Sequence, residues 1–405
     1  MTRKLFTLFF GLAIAAILCN PLVSKSQDTK ETKTDSSYQF TLVKNIPCTP
    51  VKDQYRSGTC WSFSTISYLE SELLRTGKGE YDLSDMFPVR DAYSKKAQQF
   101  IRMNGTSHFA GGGAFHDVIH TMVSSGMMPE EAYPGLSYGE KKHVHGELDE
   151  VTKAYIEAVA KNPNKKLSTA WLNGFNGILD AYLGPVPEKF SYKGKEYSPK
   201  SFAAELGLKA EDYISISSYT HHPFYEEFII EVPDNWAWGK VYNVPIDELV
   251  QIMDYALDND YTVAWASDVS EKGFAYNKGF AVVPVTDLSE MSGSEKAKWE
   301  KLTEKERNAQ IFNFDKVVEE KQITQEMRQK EFDNFQTTDD HGMHMVGYGK
   351  DQFGHKFYYI KNSWNTDSKF NGFFYASVPF VKLKTMDILV HKNGIPPAIR
   401  KKLGI

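Results

Sequence analysis

Four polar side chains in this sequence have the types that acyl transfer through sulfur requires. Cys60 would be the thiolate nucleophile, and His341 would take its proton and later protonate the leaving amine. Asn362 would orient the imidazole by accepting a hydrogen bond from one ring nitrogen. Gln54 lies six residues before the thiol, where its amide can join the backbone N–H of Cys60 in an oxyanion hole. The sequence therefore predicts a cysteine nucleophile with a base, an orienting amide and an oxyanion donor.

The element that must position Cys60 is a helix. Apolar residues recur at helical spacing after the thiol, at Phe63, Ile66, Leu69 and Leu73. This spacing places Cys60 in the first helical turn, beside unpaired N–H groups and the positive end of the dipole. Both features favour the thiolate. An isolated cysteine is more often a buried structural residue, so the prediction depends on the other three side chains.

His341 and Asn362 lie on a predicted β-hairpin. Residues 341–349 and 357–364 are typical of its two strands, and a turn separates them. A histidine that begins one strand and an asparagine that ends its partner can face each other across the ladder. His344 follows His341 at an odd offset, which points it to the opposite face and favours packing over catalysis.

Four short motifs around these residues resemble those of the papain-like cysteine peptidases. They are Gln54 with Ser57-Gly-Thr-Cys-Trp61, Gly112-Gly113, His341 with Val346-Gly-Tyr-Gly349, and Lys361-Asn-Ser-Trp364. The resemblance implies a two-lobed α+β fold. A helical left lobe would carry Cys60, and a β-barrel-like right lobe would carry His341 and Asn362, with the active-site cleft between the lobes.

The same motifs give candidate substrate-binding positions. Gly112 and Gly113 stand where the family has the glycines of its substrate loop. Trp61 and Trp364 are expected to line the cleft, and Trp364 would also shield the predicted asparagine–histidine hydrogen bond from water. Ordinary core packing is the alternative role for Trp61. The predicted chemistry requires a peptide substrate and neither a cofactor nor a metal.

Within that superfamily the sequence looks most similar to the bleomycin hydrolase and aminopeptidase C branch. The similarity rests on the long separation between Cys60 and His341, on the low cysteine count, and on short motifs such as Pro245-Ile-Asp-Glu-Leu249. By resemblance, a helical insertion is expected in the left lobe at about 140–205. The resemblance also implies aminopeptidase activity and, since the branch often forms hexamers, homo-oligomer formation.

Two departures from that branch leave the function open. The branch is usually cytosolic, and it usually ends in an extended arm that restricts the enzyme to N-terminal residues. No such arm is recognisable in the sequence up to Ile405, so a papain-like endopeptidase is an alternative to an aminopeptidase. An inactive exported binding protein on the same scaffold is a third interpretation.

The first 26 residues are predicted to be a secretory signal peptide. Arg3 and Lys4 form its basic region, an apolar stretch follows, and small residues precede Gln27. Lipidation at Cys19 is an alternative, but Leu18 stands before it where a small residue is expected. We therefore expect cleavage and export, to the periplasm or the extracellular space, rather than a lipid anchor.

The remaining chain divides by composition and motif position. The polar, aperiodic stretch 27–38 is predicted to be a disordered tether. We assign residues 39–240 to the left lobe with its insertion, and residues 241–405 to the right lobe. The formal net charge of −5 argues against a nucleic-acid partner. No later apolar run is long enough to insert stably in a membrane.

A rival signal for metal chemistry lies in the stretch from His116 to His120. Two histidines at i and i+4 share one helix face, as zinc binding requires. The acid between them is Asp117 rather than the usual glutamate, and no third ligand is evident. We therefore interpret both histidines as structural.

Overall fold

The computed structural model describes residues 38–291, 296–297 and 299–405. The predicted signal peptide, Cys19 and all but the last residue of the predicted tether lie outside these ranges. Within the described ranges, no helix combines the length and the apolar character needed to cross a bilayer.

The described residues form eleven α-helices. These are α1 (Cys60–Arg75), α2 (Met86–Arg102), α3 (Phe115–Ser124), α4 (Gly146–Ala160), α5 (Ala170–Leu183), α6 (Pro199–Leu206), α7 (Ile246–Asp258), α8 (Glu304–Ile311), α9 (Gln325–Asp333), α10 (Val378–Lys384) and α11 (Pro397–Leu403). Helix α1 begins at Cys60, as its apolar spacing predicts, and it is buried from Trp61 to Leu73. A helix buried on every side is held in place by packing rather than by capping, and Thr59 at its N-cap makes no side-chain cap hydrogen bond.

The same residues form thirteen strands. These are β1 (Thr41–Asn45), β2 (Phe190–Tyr192), β3 (Lys195–Tyr197), β4 (Tyr213–Ser217), β5 (Glu227–Ile229), β6 (Lys240–Asn243), β7 (Val263–Ser267), β8 (Phe274–Ala275), β9 (Phe280–Ala281), β10 (His341–Lys350), β11 (Lys356–Lys361), β12 (Phe373–Ser377) and β13 (Thr385–His391). Ten of them lie in one sheet in the order β5-β6-β4-β13-β7-β10-β11-β12-β9-β8, and β1 joins it by pairing with β10. Strands β2 and β3 form a separate hairpin.

Two large apolar cores organise these elements. One is built around α1 to α6 and holds bulky residues such as Tyr68, Tyr93 and Phe175. The other packs α7, α10 and α11 against the main sheet around Trp265 and Tyr358. A helical core beside a sheet core is the predicted α+β class, which is confirmed.

The region 140–205, predicted as a helical insertion, contains α4, α5 and α6. It also contains the β2–β3 hairpin, which the sequence did not predict. Strands β4 and β5 precede position 241 and join the main sheet through β13 and β6. The predicted lobe boundary at 240/241 therefore falls inside β6.

The predicted hairpin carrying His341 is present as β10 and β11. The two strands pair antiparallel, with a register shift between Met345 and Gly347. The first half of β10 also pairs with β7, which places His341 opposite Ser267. Gly342 lies so close to α1 that a Cβ there would be 2.7 Å from Ser64 Oγ. A glycine at this position therefore lets the strand that carries the histidine approach the helix that carries Cys60.

Candidate active site

Cys60 is held between the N terminus of α1 and the start of β10. The backbone N–H groups of Gly342 and Trp61 donate to its sulfur and lower the pKa of the thiol. Burial acts more strongly in the opposite direction and raises that pKa to about 12, with smaller contributions from Asp339 and Asp234. Its position at a helix N terminus predicts a lowered pKa for the Cys60 thiol. Because burial outweighs the local N–H groups, the unliganded site holds a neutral thiol.

His341 and Asn362 meet as predicted. The imidazole Nε2–H donates to Asn362 Oδ1 at 2.7 Å, and both residues are buried. Because an amide oxygen only accepts, this contact places the ring proton on Nε2 and leaves the Nδ1 lone pair for the thiol. Burial lowers the pKa of His341 to about 4, although Asn362 and Asp340 act to raise it. The ring is therefore neutral and able to accept a proton.

A neutral thiol beside a neutral imidazole restricts how the site can react. Cys60 and His341 line the same cavity. Burial penalises thiolate and imidazolium separately, whereas the two ions formed together carry no net charge and attract each other. We therefore expect the proton to move from the Cys60 sulfur to the His341 nitrogen when substrate fills the cavity.

The two predicted tryptophans contact different parts of the site. The Trp364 ring stacks on the His341 imidazole, with 4.5 Å between ring centroids. Phe274 and Tyr276 contact the Trp364 ring in edge-to-face geometry on other sides. The Trp364 ring therefore covers the imidazole of His341. Trp61 is 1% exposed, lines the cavity and donates from Nε1 to a backbone carbonyl of residue 111 at 3.1 Å. Trp61 thus combines core packing with lining of the cavity.

The predicted glycine loop lies beside the same cavity. Gly113 lines it, and a Cβ there would be 2.9 Å from the Trp61 ring. Gly112 is not among the lining residues. A Cβ on Gly112 would overlap the carboxyl group of Asp234, so this glycine makes room for an acidic side chain that lines the cavity.

Gln54 is tied to the chain that follows Asn362. Its Oε1 accepts from Ser363 Oγ at 2.6 Å, and its backbone N–H donates to the Ser363 carbonyl at 2.9 Å. Its Nε2 donates one hydrogen to the Ser57 carbonyl at 2.9 Å. One amide hydrogen is left for an oxyanion, although Gln54 is not among the residues that line the cavity.

A buried polar network behind the site was not predicted. Lys361 Nζ donates to Ser67 Oγ at 2.7 Å, and the Ser67 hydroxyl lies 2.8 Å from His344 Nδ1. Lys361 also donates to Thr49, whose hydroxyl donates to Glu70. These contacts join α1 to the β10–β11 hairpin. Two features of the sequence could have indicated the network. They are a lysine directly before Asn362 and a serine two helical turns after the thiol.

The cavity at the thiol is narrow: about 40 Å³ of it can hold the centre of a water-sized sphere. One side, the helical wall, consists of uncharged residues at the start of α1 and at and just before the start of α3: Cys60, Trp61, Gly113, Ala114 and Phe115. The rest of the lining is mixed and includes aliphatic side chains and four carboxylates, at positions 234, 339, 340 and 387. Sequence reasoning assigned no role to these carboxylates.

His116 and His120, the two histidines considered as zinc ligands, both lie on α3. The rings of His116 and His120 have centroids 5.3 Å apart. Within the described ranges, the group whose geometry suits a cation is instead His221, His222 and Glu231. Both imidazoles in that group contact the Glu231 carboxylate through Nε2, at 3.1 and 2.8 Å.

Comparisons with known proteins identify a family and several similar proteins. A family model described as papain family cysteine protease matches residues 36–182 and 255–382. Aminopeptidase C of Lactococcus lactis is 20% identical over 384 residues, covering 85% of this chain and 81% of that protein. Aminopeptidase C of Lactobacillus delbrueckii is 22% identical over 306 residues, covering 65% and 68%. The crystal structure of PepW from Lactobacillus rhamnosis aligns with a TM-score of 0.67 at 16% identity, covering 90% of this chain and 84% of that one.

Proposed function

Because the chain belongs to the papain family of cysteine proteases, with similarity to its bleomycin hydrolase and aminopeptidase C branch, we propose that it hydrolyses peptides through Cys60. The observation that carries the proposal is the 2.7 Å contact between His341 and Asn362 at the cavity that Cys60 also lines. We further propose that it acts on N-terminal residues, as the names of its curated relatives suggest.

The proposed reaction begins when a peptide carbonyl enters the cavity. The Cys60 proton moves to His341 Nδ1, and sulfur attacks the carbonyl carbon. The oxyanion faces the backbone N–H of Cys60 at the start of α1 and the remaining amide hydrogen of Gln54. His341 then protonates the leaving amine, which leaves a thioester on sulfur. Water, deprotonated by His341, hydrolyses that thioester and restores the thiol.

Asn362 and Trp364 would act on the base rather than on the substrate. The hydrogen bond from Nε2 to Asn362 keeps Nδ1 toward sulfur, and it strengthens when the ring becomes charged. The Trp364 ring lies over the imidazole and keeps water from competing for that hydrogen bond. Both residues would therefore stabilise the imidazolium that forms during the reaction.

A comparison of the two free thiols in the described chain tests the nucleophile. Cys48 and Cys60 are both partly exposed and unpaired, so Cys48→Ala is a matched control. We expect Cys60→Ala to abolish hydrolysis of fluorogenic peptides and Cys48→Ala to retain it. Iodoacetamide should modify Cys60 in step with loss of activity. Turnover by a folded Cys60→Ala protein would contradict the proposal.

Capped and free peptides test the proposed exopeptidase action. An aminopeptidase hydrolyses a fluorogenic amide with a free N terminus and not its N-acetylated form. Equal hydrolysis of both would identify an endopeptidase. A folded wild-type protein that hydrolyses neither peptide but binds one of them would identify a binding protein on this scaffold.

We also propose export, on the first 26 residues alone. Fractionation of cells that produce the full chain should recover a processed protein outside the cytoplasm, with its N terminus near Gln27. Retention of the intact N terminus in the cytoplasm would contradict this. Lipid labelling that disappears in a Cys19→Ala variant would instead support the anchored form.

A further inference from the structure

Two histidines and a glutamate converge at the surface, outside the lining of the cavity at Cys60. His221 and His222 lie in the turn after β4, and Glu231 follows β5. The Nε2 atoms of the two imidazoles contact the Glu231 carboxylate at 3.1 and 2.8 Å. All three ligand atoms lie within 4.8 Å of one another. We call these three residues the histidine–glutamate cluster.

Aromatic packing holds both imidazoles of this cluster in place. The His222 ring stacks on Phe228 with 4.7 Å between centroids, and the His221 ring stacks on Phe332 with 5.7 Å. The backbone of the turn is also fixed, because Asn243 Nδ2 donates to the His222 carbonyl at 2.9 Å. Side chains that already converge lose little conformational entropy when they bind an ion.

The ligand types indicate which ion would fit the cluster. Imidazole nitrogen suits zinc and the neighbouring transition metals, whereas calcium and magnesium prefer oxygen ligands. Two histidines and one glutamate supply three positions of a tetrahedral zinc ion, and water can take the fourth. Zinc bonds of about 2.0–2.1 Å place neighbouring ligand atoms about 3.4 Å apart. The ligands would therefore spread slightly, which Glu231 permits because its side chain is 55% exposed.

Gln329 makes the two histidines unequal as ligands. Its Oε1 accepts from the Thr220 N–H at 2.6 Å, so its Nε2 donates to His221 Nδ1 at 2.9 Å. The metal-free His221 ring therefore carries its proton on Nε2, and an ion at that atom requires the proton to move to Nδ1. His222 Nδ1 forms no hydrogen bond within the described residues. His222 is therefore the stronger ligand.

The position of Glu231 connects the cluster to the active-site cavity. Its two chain neighbours, Ile230 and Val232, both line that cavity. The Ile230 carbonyl accepts from the Val232 N–H and from Asn235 Nδ2, each at 3.0 Å, which closes segment 230–235 into a turn. An ion held by the cluster would tie this segment to the turn after β4.

We propose that the histidine–glutamate cluster binds zinc, or a divalent transition metal of the same ligand preference, through His222 Nε2, Glu231 and, more weakly, His221 Nε2. The ion fixes one wall of the cavity at Cys60 and takes no part in the attack on the peptide bond. Each neutral ring keeps its proton, which moves to Nδ1, whereas an imidazolium must first release a proton to water. Binding therefore weakens as pH falls. This inference goes beyond the proposed peptidase function and does not depend on it.

Calorimetry with zinc chloride on the Cys60→Ala protein tests the site, because this variant lacks the active-site thiol as a competing ligand. We expect one ion per chain. Adding His222→Ala or Glu231→Gln should weaken zinc binding by at least about tenfold, and His221→Ala should weaken it less. The matched control is His120→Ala, which removes an exposed histidine that also neighbours another histidine. The control should keep the affinity unchanged.

Substitution of Gln329 tests the proposed inequality of the two histidines. Gln329→Glu offers an acceptor to His221 Nδ1–H, so zinc affinity should rise by about tenfold or more. Gln329→Ala removes the opposing donor without adding an acceptor and should raise the affinity less. Unchanged affinity in both folded variants would contradict a role for His221 as a ligand.

Hydrogen exchange tests the effect on the cavity wall. Zinc should slow amide exchange in segment 230–235 of the Cys60→Ala protein, and it should not do so when His222→Ala is added. Zinc that binds at the cluster and leaves this exchange unchanged would show that the ion does not fix the wall.

Two further outcomes would overturn the site itself. One is the absence of zinc binding, or binding that survives both His222→Ala and Glu231→Gln. The other is a sulfur-to-cobalt charge-transfer band when cobalt replaces zinc, which would place the ion on Cys48. Magnesium chloride should not bind at the cluster. These measurements use Cys60→Ala and record binding rather than turnover, so their outcome leaves the peptidase proposal to its own tests.

Discussion

Two sides of the cavity at Cys60 differ in what they contribute. One is the helical wall, and the other, which we call the acidic wall, carries Asp234, Asp339 and Asp387. The helical wall is uncharged, and its nucleophile sits on a helix that is buried along most of its length. The acidic wall comes from loop and strand residues whose carboxyl pKa values are raised by burial. This difference indicates that the rigid side of the cavity positions the reacting atom, while the acidic side determines the electrostatic environment of the thiol. Substitutions on the two sides should therefore alter different kinetic quantities.

The largest loss of activity should come from substitution of His341. This residue lies on the sheet, but it acts on the nucleophile of the helical wall. His341→Ala removes the only base that the mechanism provides, so kcat/KM should fall by about 10³- to 10⁴-fold for every peptide substrate, whatever its charge. Kinetics on the purified, folded variant measure this. A loss confined to cationic peptides would place His341 with substrate selection and contradict the mechanism.

Asn362 should give the next largest effect. Asn362→Ala removes the acceptor at 2.7 Å from the imidazole, so we expect kcat to fall by about ten- to hundredfold with KM little changed. Asn362→Asp places a negative charge beside the ring and should raise the pKa of His341, which lies near 4. The lower limb of the pH–rate profile should then move to higher pH. An unmoved profile would show that Asn362 does not hold the base.

Local patterns explain why the catalytic side was predictable. Apolar spacing located the start of α1 at Cys60, and alternation located the hairpin that brings His341 to Asn362. Both depend on residues near each other in sequence. The odd offset of His344 also agrees with its buried contact to Ser67 on α1.

The acidic wall was not predictable in the same way, because it depends on long-range pairing. Asp387 lies on β13, which pairs with both β7 and β4, and Asp234 lies in the chain between β5 and β6. An aspartate inside the apolar strand Thr385–His391 was the one local sign. The side-chain orientation of Gln54 was likewise fixed by Ser363, which is 309 positions away.

The buried network offers a smaller effect that separates stability from catalysis. Ser67→Ala leaves Lys361 and His344 each without one partner, so unfolding free energy should fall by about 1–3 kcal/mol. Ser71 lies on the same helix and is equally buried, but its hydroxyl has no partner among the described residues. Ser71→Ala should therefore be close to neutral. Urea unfolding measures both, and equal losses would show that the network is not what ties α1 to the hairpin.

The smallest effect should be a change in how stability depends on pH. Asp387 has a pKa of about 7 in the folded protein, above the value of roughly 4 for an unfolded aspartate. Between those values the folded state binds more protons, so this carboxyl lowers stability progressively as pH rises from about 4 to about 7. Because Asp387 is partly exposed, the loss that it causes should amount to about 1–2 kcal/mol.

Asp387→Asn removes that titration, so the variant should gain stability over wild type at pH 8 and not at pH 4. Urea unfolding at the two pH values measures the difference, with Asp247→Asn as the surface control. An equal difference in stability between variant and wild type at both pH values would mean that Asp387 does not titrate between them in the folded protein.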